Sequence, residues 1–371
     1  MKIIIAYASA GTGHKRAAES IYDYFKEHCP NLELSLIDVL EKTNPFFRSS
    51  YIFGYYFLVR HAIYLWRLCF WWTEAEYLRS FNRILTFLIH RLNTLKFSQF
   101  LIQENPDIII STHFLPSEVS NYLKRSGKIS PRTVTVITDF GVHPAWVSSG
   151  TDLYVAASDF TKERLLLYGI DEGKIKVLGI PVEEKFFKEY DKNELCEKLD
   201  IKRNKFTVLI VTGSFGIGPI EYIVNLLCQN VQILVVCAKN KKLYKRLKHK
   251  NYPDVKVYGF VDNLAELMCI CDVVITKPGG IGISEILASQ TPPIFISPIP
   301  GQESENIKAL ERYKIGLYPR NLKEIRDIIL DYQEYPQKLE MGKGDIRLIR
   351  KPFATQELCR VLCAGSLRHT G

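Results

Sequence analysis

The sequence predicts an α/β protein with two domains, each built around a parallel β-sheet. Short apolar runs alternate with longer amphipathic stretches, which is typical of successive βαβ units. The pattern occurs in two series separated by a charged stretch. The length of 371 residues and an apolar content of 47% suffice for two hydrophobic cores.

Eleven apolar runs have the length of buried strands. The first series comprises residues 2–8, 32–38, 107–111, 133–138, 153–156 and 175–178. The second series comprises residues 206–212, 231–237, 255–258, 273–276 and 293–297.

The charged stretch between the two series places the domain boundaries. It has little apolar periodicity and begins directly after Gly179–Val182, so we expect it to connect the domains. The prediction is an N-terminal domain over 1–182, a linker over 183–205, a C-terminal domain over 206–352, and a last helix with a tail over 353–371.

Charge and cysteine usage limit the classes of partner and site. The net charge of +9 favours an anionic partner, either a phosphorylated ligand, an acidic membrane surface or nucleic acid. The nine cysteines form no CxxC pair, so we expect reduced thiols and no metal site, with Cys359 and Cys363 packing as small apolar residues. The apolar run after Met1 is too short for a signal peptide, which predicts a cytoplasmic protein.

The segment 46–81 interrupts the α/β pattern and lies in an expected helical insertion over 46–100. It is rich in aromatic residues and contains Arg48, Arg60 and Arg67 among its arginines, so no window is apolar enough to cross a bilayer. Such a composition suits the headgroup layer of a membrane. The alternative is a helical cap that packs on the core of its own domain.

A second basic segment, Lys241–Lys250, is another candidate for binding acidic lipid headgroups. An ordinary solvated helix face is the other interpretation.

The first glycine turn, Ser9–His14, lies between a predicted strand and a predicted helix. Glycines allow a ligand to approach the backbone, and the start of a helix attracts negative charge. A dinucleotide fingerprint would need glycine where Arg16 stands, and no Gly-Lys-Ser/Thr follows to make a phosphate-binding P-loop. The turn therefore presents His14 at a helix start, either as a reactive imidazole or as a surface histidine.

Two further glycine turns, Thr212–Gly218 and Lys277–Glu285, follow strands of the second series. Glycines at such turns bring backbone amides to a diphosphate, and a carboxylate one turn into the helix can accept both ribose hydroxyls, which suggests Glu285. The stretch Pro298–Asn306 places an amide and carboxylates at another helix start, where they can bind sugar hydroxyls or simply form a solvated acidic N-terminus.

Together these motifs resemble a known family. They are the GxGH turn, residues 136–146 with the pattern TDxxxHxxW, the run Gly179–Val182, the KPGGxGxSE loop and the PGQE turn. In this order, over residues 1–320, they are similar to monogalactosyldiacylglycerol synthases and bacterial diacylglycerol glucosyltransferases. These enzymes resemble glycosyltransferase family 28 and share a superfamily with the peptidoglycan lipid-intermediate N-acetylglucosaminyltransferase.

The resemblance implies a GT-B fold, in which two Rossmann-like domains face a cleft. It implies an inverting, metal-independent hexosyltransferase that uses a UDP-sugar and no other cofactor. The first domain would hold diacylglycerol and the second would hold UDP-glucose or UDP-galactose. The expected partners are these substrates and anionic membrane lipids, without nucleic acid, at a peripheral position on the membrane.

The resemblance also implies roles for individual residues. His14 is expected to be the general base, with Asp139 as the alternative or as the group that orients the acceptor hydroxyl. The expected acceptor-binding residues are Gly11, Gly13, Thr138, His143 and Trp146. The expected donor-binding residues are Gly213, Ser214, Gly216, Phe260, Val261, Pro278, Gly279, Gly280, Ser284, Glu285, Gln302 and Glu303.

Other functions remain open at this point. The sequence KPGG is similar to that of the bacterial glucosyltransferases, and the first turn lacks the third glycine of the plant synthases. Both features favour glucose over galactose. An enzyme that transfers N-acetylglucosamine to a lipid, a UDP-N-acetylglucosamine 2-epimerase and an inactive UDP-sugar sensor that binds lipid are the alternatives. The aromatic segment speaks against a wholly soluble substrate.

Overall fold

The computed structural model describes residues 1–74, 86 and 88–363. It divides into two compact units. The first unit comprises Met1–Val182, Ile299–Glu305 and the described residues from Lys351 onward, and the second comprises Glu183–Pro298 and Asn306–Arg350. Parts of the predicted insertion 46–100 and of the predicted tail 353–371 lie outside the described residues.

The first unit contains a six-stranded parallel sheet in the order β2-β1-β3-β4-β5-β6. Its strands are β1 (Lys2–Tyr7), β2 (Glu33–Asp38), β3 (Ile108–Ser111), β4 (Arg132–Val136), β5 (Leu153–Ala156) and β6 (Ile175–Val177). Among the described residues before the second unit begins, its helices include α1 (Thr12–His28), α2 (Pro45–His61), α3 (Ile63–Glu74), α4 (Leu95–Glu104), α5 (Phe114–Arg125) and α6 (Asp159–Leu167).

Both faces of this sheet are buried. Along β1, Ile3 and Ile5 pack on one face against α1, while Ile4 and Ala6 pack on the other face against residues such as Leu101 of α4. A parallel strand buried on both faces is apolar throughout rather than alternating, which is how β1 reads.

The second unit contains a five-stranded parallel sheet in the order β11-β10-β7-β8-β9. Its strands are β7 (Thr207–Val211), β8 (Gln232–Val236), β9 (Val255–Tyr258), β10 (Val273–Thr276) and β11 (Pro293–Phe295). Its helices are α7 (Lys192–Lys198), α8 (Ile220–Leu227), α9 (Lys241–Lys250), α10 (Leu264–Ile270), α11 (Gly280–Ser289), α12 (Gln302–Arg312, from residue 306 onward), α13 (Glu324–Glu334), α14 (Gln337–Gly342) and α15 (Ile346–Ile349).

All eleven predicted strands are present, within two residues at each end. The expected linker 183–205 differs, because it contains α7, whose Leu195 and Cys196 are buried, and it is part of the second unit. Two segments assigned by sequence to the second half or to a tail instead pack with the first unit. They are Ile299–Glu305 and the final helix α16 (Ala354–Cys363).

The aromatic segment forms α2 and α3, and much of its aromatic surface is exposed. Phe47, Tyr51 and Ile52 pack against the core of the first unit, but no residue of α2 is fully buried. The large side chains that remain exposed are Phe46, Phe53, Phe57, Tyr64, Leu65, Leu68, Trp71 and Trp72. None of the helices in the described part of the chain is long and apolar enough to span a bilayer.

Candidate active site

The loop that carries His14 lies at the switch point of the first sheet. From β1 the strand order runs to β2 on one side and to β3 on the other. The loops after β1 and β3 therefore leave the same sheet edge in opposite directions, and in open α/β sheets this is where ligands bind. The first loop leads into the first turn of α1, which carries His14, and the second contains Thr112 and His113.

His14 is held by the ends of two strands. Its Nδ1 lies 2.9 Å from the carbonyl oxygen of Thr112 and 2.7 Å from the hydroxyl oxygen of Thr138. The Thr112 hydroxyl in turn donates to the carbonyl oxygen of His14 at 2.8 Å. This reciprocal pair fixes both the backbone and the ring of His14 at the start of α1.

The Thr112 contact determines which nitrogen of His14 carries the proton. A carbonyl oxygen can only accept a hydrogen bond, so Nδ1 must be protonated and Thr138 shares the same N–H. Nε2 then has its lone pair available, and no partner for it occurs among the described residues. His14 thus has the tautomer that a general base requires.

Burial lowers the pKa of His14 to about 4, and the hydrogen bond to Thr112 opposes this shift only in part. Removing the imidazolium from water disfavours its charge. The imidazole is therefore neutral at physiological pH and can accept a proton throughout that range. This pKa lies well below the value near 6.5 of a histidine in water.

Two other histidines nearby have their nitrogens occupied differently. His113 packs edge-on to His14 with ring centroids 4.6 Å apart, and its Nδ1 accepts from the backbone N–H of Leu115 at 3.1 Å. His143 accepts from the backbone of Ala145 through Nδ1 and contacts the Thr73 hydroxyl through Nε2, both at 3.1 Å.

Burial lowers the pKa of both His113 and His143, to about 4 for His143. Neither ring offers a free basic nitrogen in its assigned tautomer, since Nδ1 of each already accepts a hydrogen bond. His143 instead joins its segment to α3, where its ring lies 4.8 Å from that of Phe70.

Asp139 follows Thr138 and is buried, with a side chain that accepts a hydrogen bond from Gln302 Nε2 at 2.8 Å. Glu303 is also buried, and its Oε2 accepts from the backbone N–H of Ile299 at 2.6 Å. Both Gln302 and Glu303 belong to the first unit, whereas the sequence placed them in the second domain. Gln302 is therefore positioned to orient Asp139.

The remaining residues expected to bind the acceptor surround the same loop. Gly11 is the N-cap of α1 and has open space where a Cβ would lie, and Gly13 follows in the first turn. Trp146 is buried, with its ring 5.9 Å from that of His14. Burial raises the pKa of Tyr55, and the neighbouring carboxylates of Glu303 and Asp139 raise it further, so the phenol stays neutral.

The second unit has its own switch point between β7 and β10. The Thr212–Gly218 loop leaves β7 and the Lys277–Gly280 loop leaves β10, so both lie at the carboxyl edge of adjacent strands. Gly213 has a φ of 75°, and at Gly216 a Cβ would lie 2.4 Å from the carbonyl oxygen of Cys237. Gly213 requires glycine because of its positive φ, and Gly216 because a side chain would meet the Cys237 carbonyl.

Hydrogen bonds within the second unit shape the later loop. The Asn306 amide, fully buried, donates to the carbonyl oxygen of Pro278 at 2.9 Å. Ser284 donates to the carbonyl oxygen of Gly280 within α11, and Glu285 is buried beside it.

The other predicted donor-binding residues in this unit lie in loops at the same sheet edge. Gly279 is the N-cap of α11, and Ser214 follows Gly213, with its carbonyl oxygen accepting from the N–H of Lys239. Phe260 and Val261 follow β9, and the Phe260 side chain is largely exposed.

Thr112, His113 and Asn306 were not predicted from the sequence as site residues. Thr112 and His113 had a detectable signal, since polar residues directly follow a buried strand there. Asn306 was seen only as part of an acidic helix start. Its contact with Pro278 joins residues 28 positions apart, which local patterns do not reveal.

Comparison with known proteins identifies the family. Residues 14–182 match the model of monogalactosyldiacylglycerol synthase, and residues 207–321 match the glycosyltransferase family 28 C-terminal domain. A protein of Bacillus pumilus named processive diacylglycerol beta-glucosyltransferase is 31% identical over 370 residues, covering 96% of this chain and 93% of its own length. The chain belongs to the monogalactosyldiacylglycerol synthase and diacylglycerol glucosyltransferase family.

Solved structures agree with this family at the level of the fold. MurG of Acinetobacter baumannii has a TM-score of 0.64 at 13% identity, covering 98% of this chain and all of the MurG chain. The UDP-GlcNAc 2-epimerase of Neisseria meningitidis has a TM-score of 0.63 at 13% identity with the same coverage. The predicted GT-B fold is confirmed. A fold shared with an epimerase does not by itself identify the reaction.

Proposed function

We propose that this protein transfers glucose from UDP-glucose to the hydroxyl of diacylglycerol, with inversion, at a membrane surface. The proposal rests on the state of the His14 imidazole. The ring is neutral, and its Nδ1–H donates a hydrogen bond to the carbonyl oxygen of Thr112, so Nε2 can act as a base. Relatives named diacylglycerol beta-glucosyltransferase support both the acceptor and the choice of glucose.

In this mechanism His14 Nε2 takes the proton of the acceptor hydroxyl as the oxygen attacks the anomeric carbon. The new bond forms on the face opposite UDP, the bond from that carbon to the diphosphate oxygen breaks, and the configuration inverts. A base with a pKa near 4 suffices because the attacking oxygen becomes strongly acidic as its bond to carbon forms. Asp139, held by Gln302, orients the hydroxyl.

The second unit supports donor binding through its two glycine loops. Backbone amides after Gly213 and at the start of α11 offer hydrogen bonds to a diphosphate, with the helix dipole adding to the attraction. In the proposal these groups, rather than a metal ion, balance the charge of departing UDP. Glu285 accepts the ribose hydroxyls.

A transfer assay tests the proposed substrates. Labelled UDP-glucose, UDP-galactose and UDP-N-acetylglucosamine are offered separately to diacylglycerol in anionic vesicles, with and without Mg²⁺. We expect label to enter the lipid fastest from UDP-glucose and at the same rate without Mg²⁺. Transfer from UDP-N-acetylglucosamine alone would contradict the sugar assignment, and no lipid label from any donor would favour an epimerase or a sensor.

The exposed surface of α2 and α3 is the proposed membrane contact. Trp71 and Trp72 are 58% and 50% exposed, and arginines such as Arg67 lie among the aromatic residues. Aromatic rings partition into the headgroup layer while guanidinium groups meet lipid phosphates. This contact also explains how an enzyme without a described spanning helix reaches a lipid acceptor.

Replacing both tryptophans by alanine should weaken vesicle binding. Burial of each large apolar side chain contributes about 1.5–3 kcal/mol, which corresponds to at least about tenfold in affinity per side chain. We expect W71A/W72A, which removes two such side chains, to lose at least about a hundredfold in vesicle affinity by co-sedimentation. Tyr318→Ala, which removes an aromatic residue 49% exposed on the second unit, is the control.

Equal loss of vesicle binding in Tyr318→Ala and the double variant would contradict the assignment of the surface.

Salt should weaken the activity of the wild type on anionic vesicles because it screens arginine and lysine. Activity that is insensitive to salt, or equal on neutral vesicles, would remove the role of acidic lipids.

A further inference from the structure

Three cysteines distant in sequence come together in the first unit. The Sγ atoms of Cys29 and Cys359 lie 3.2 Å apart, those of Cys359 and Cys363 lie 4.0 Å apart, and all three lie within 4.8 Å of one another. Cys29 caps the end of α1, while Cys359 and Cys363 occupy one face of α16. The cluster lies at the opposite end of α1 from His14, about 20 Å along the helix axis.

The spacing of the sulfur atoms fits one metal ion. A metal–sulfur bond of about 2.3 Å requires sulfur–sulfur separations of about 3.8 Å in tetrahedral geometry and about 4.0 Å in trigonal geometry. The separations of 3.2 and 4.0 Å, with the third at most 4.8 Å, bracket these values. Small rotations about the Cα–Cβ bonds would make the three separations equal.

The surroundings shield the cluster on one side and leave it accessible on the other. Cys359 and Cys363 are 8% and 4% exposed within an apolar core, while Cys29 is half-buried and leaves a route of entry for an ion and for a water ligand.

We propose that Cys29, Cys359 and Cys363 form a binding site for a thiophilic d¹⁰ cation, namely Zn²⁺, with water as its fourth ligand. Three thiolates are a soft donor set that selects such ions. On binding, three S–H bonds break, three Zn–S bonds form, and three protons pass to the solvent without any change of oxidation state. The ion would fasten α16 to the end of α1.

The proposal departs from the expectation of no metal site and of cysteines acting only as apolar packing. That expectation rested on the absence of a CxxC pair. Here 330 positions separate Cys29 from Cys359, so sequence spacing could not reveal the set.

Zinc binding to the full-length, reduced and metal-stripped protein tests the site. In competition with a chromophoric chelator, we expect one Zn²⁺ per chain and release of about three protons in a weakly buffered solution, as three thiols predict. Co²⁺ should give the thiolate-to-metal charge-transfer absorption of a cysteine site. Zn²⁺ should also raise the thermal unfolding midpoint, because it binds the folded state.

Cys29→Ser is the principal variant, since Cys29 is half-buried, and Cys228→Ser is a matched control at another half-buried cysteine. We expect Cys29→Ser to lower zinc affinity at least tenfold and Cys228→Ser to leave it unchanged. Cys359→Ser should abolish binding, with its folding checked by circular dichroism. Less than one Zn²⁺ per wild-type chain, or equal binding in Cys29→Ser and wild type, would overturn the site.

Discussion

His14→Ala is expected to lower kcat for lipid glycosylation by about 10²–10⁴-fold, the usual contribution of a general base. The loss should appear in kcat more than in KM for the donor, because the imidazole acts on the hydroxyl in the transition state. His28→Ala, at the exposed end of the same helix, is the control and should retain wild-type activity. Initial rates with labelled UDP-glucose and vesicles measure both variants.

The pH dependence of kcat/KM provides an independent test of the same base. Since burial lowers the pKa of His14 to about 4, the base stays unprotonated down to that pH. The acidic limb of the profile should therefore lie near pH 4, well below the position of an unperturbed histidine. An acidic limb near 6.5 would contradict the proposed environment of the imidazole.

Acid unfolding has to be separated from this limb. The folded protein resists protonation of His14 and His143 until about pH 4, whereas the unfolded chain binds these protons near 6.5. The contribution of these two histidines to the free energy of unfolding is therefore fully present above about pH 6.5 and is lost as the pH falls toward 4. A circular dichroism signal that stays native at the pH where the rate falls identifies the loss of rate as titration of the base.

Asp139 is the alternative base, and the same assay distinguishes the two. If His14→Ala retained activity while Asp139→Asn lost it, the carboxylate would be the base. If both were impaired and Gln302→Ala mainly changed the acceptor KM, Asp139 would be an orienting group held by its amide partner. The hydrogen bond from Gln302 makes the second outcome the expected one.

The strands were predictable because a parallel strand buried on both faces is a short, uninterrupted apolar run. β1 and β7 are of this kind, and the glycine turns that follow them mark the edge where ligands bind. His14 and Glu285 could be selected for the same reason. Local sequence thus locates the loops that carry the candidate chemistry.

Contacts between distant parts of the chain were not predictable in this way. Packing of Ile299–Glu305 with the first unit depends on the surface of α3, and α16 returns to that unit after the second unit is complete. The basicity of His14 depends on which group accepts the hydrogen bond from its Nδ1–H, and that group is the carbonyl of Thr112, 98 residues away. Burial, which sets the pKa, is likewise a property of the folded unit.

Gly301→Ala is expected to destabilise the first unit by about 2–4 kcal/mol, because it combines backbone strain with overpacking. Gly301 has a φ of 89°, where an L side chain is strained, and a Cβ there would lie 2.3 Å from Cδ1 and 2.6 Å from Cγ of Phe70. Because both atoms of the Phe70 ring are this close, moving one edge of the ring would not remove the overlap with the new Cβ. Chemical denaturation of the variant measures the loss.

The functional consequence follows from what this turn holds in place. Trp66 Nε1 donates to the carbonyl oxygen of Pro300 at 3.1 Å, and Gln302 donates to Asp139. Displacing Gly301 from Phe70 should therefore shift Gln302, and with it the orientation of Asp139. We expect Gly301→Ala to lower glycosylation at temperatures where the protein remains folded.

Gly127→Ala separates strain from overpacking. Gly127 also has a positive φ, 67°, but a Cβ there meets nothing within 4 Å, so its replacement should cost only about 1 kcal/mol. In a Phe70→Ala background the ring is absent, and Gly301→Ala should cost no more than Gly127→Ala does. If Gly301→Ala and Gly127→Ala cost the same in the wild type, the ring yields freely. The contact between α3 and this turn would then not position Gln302.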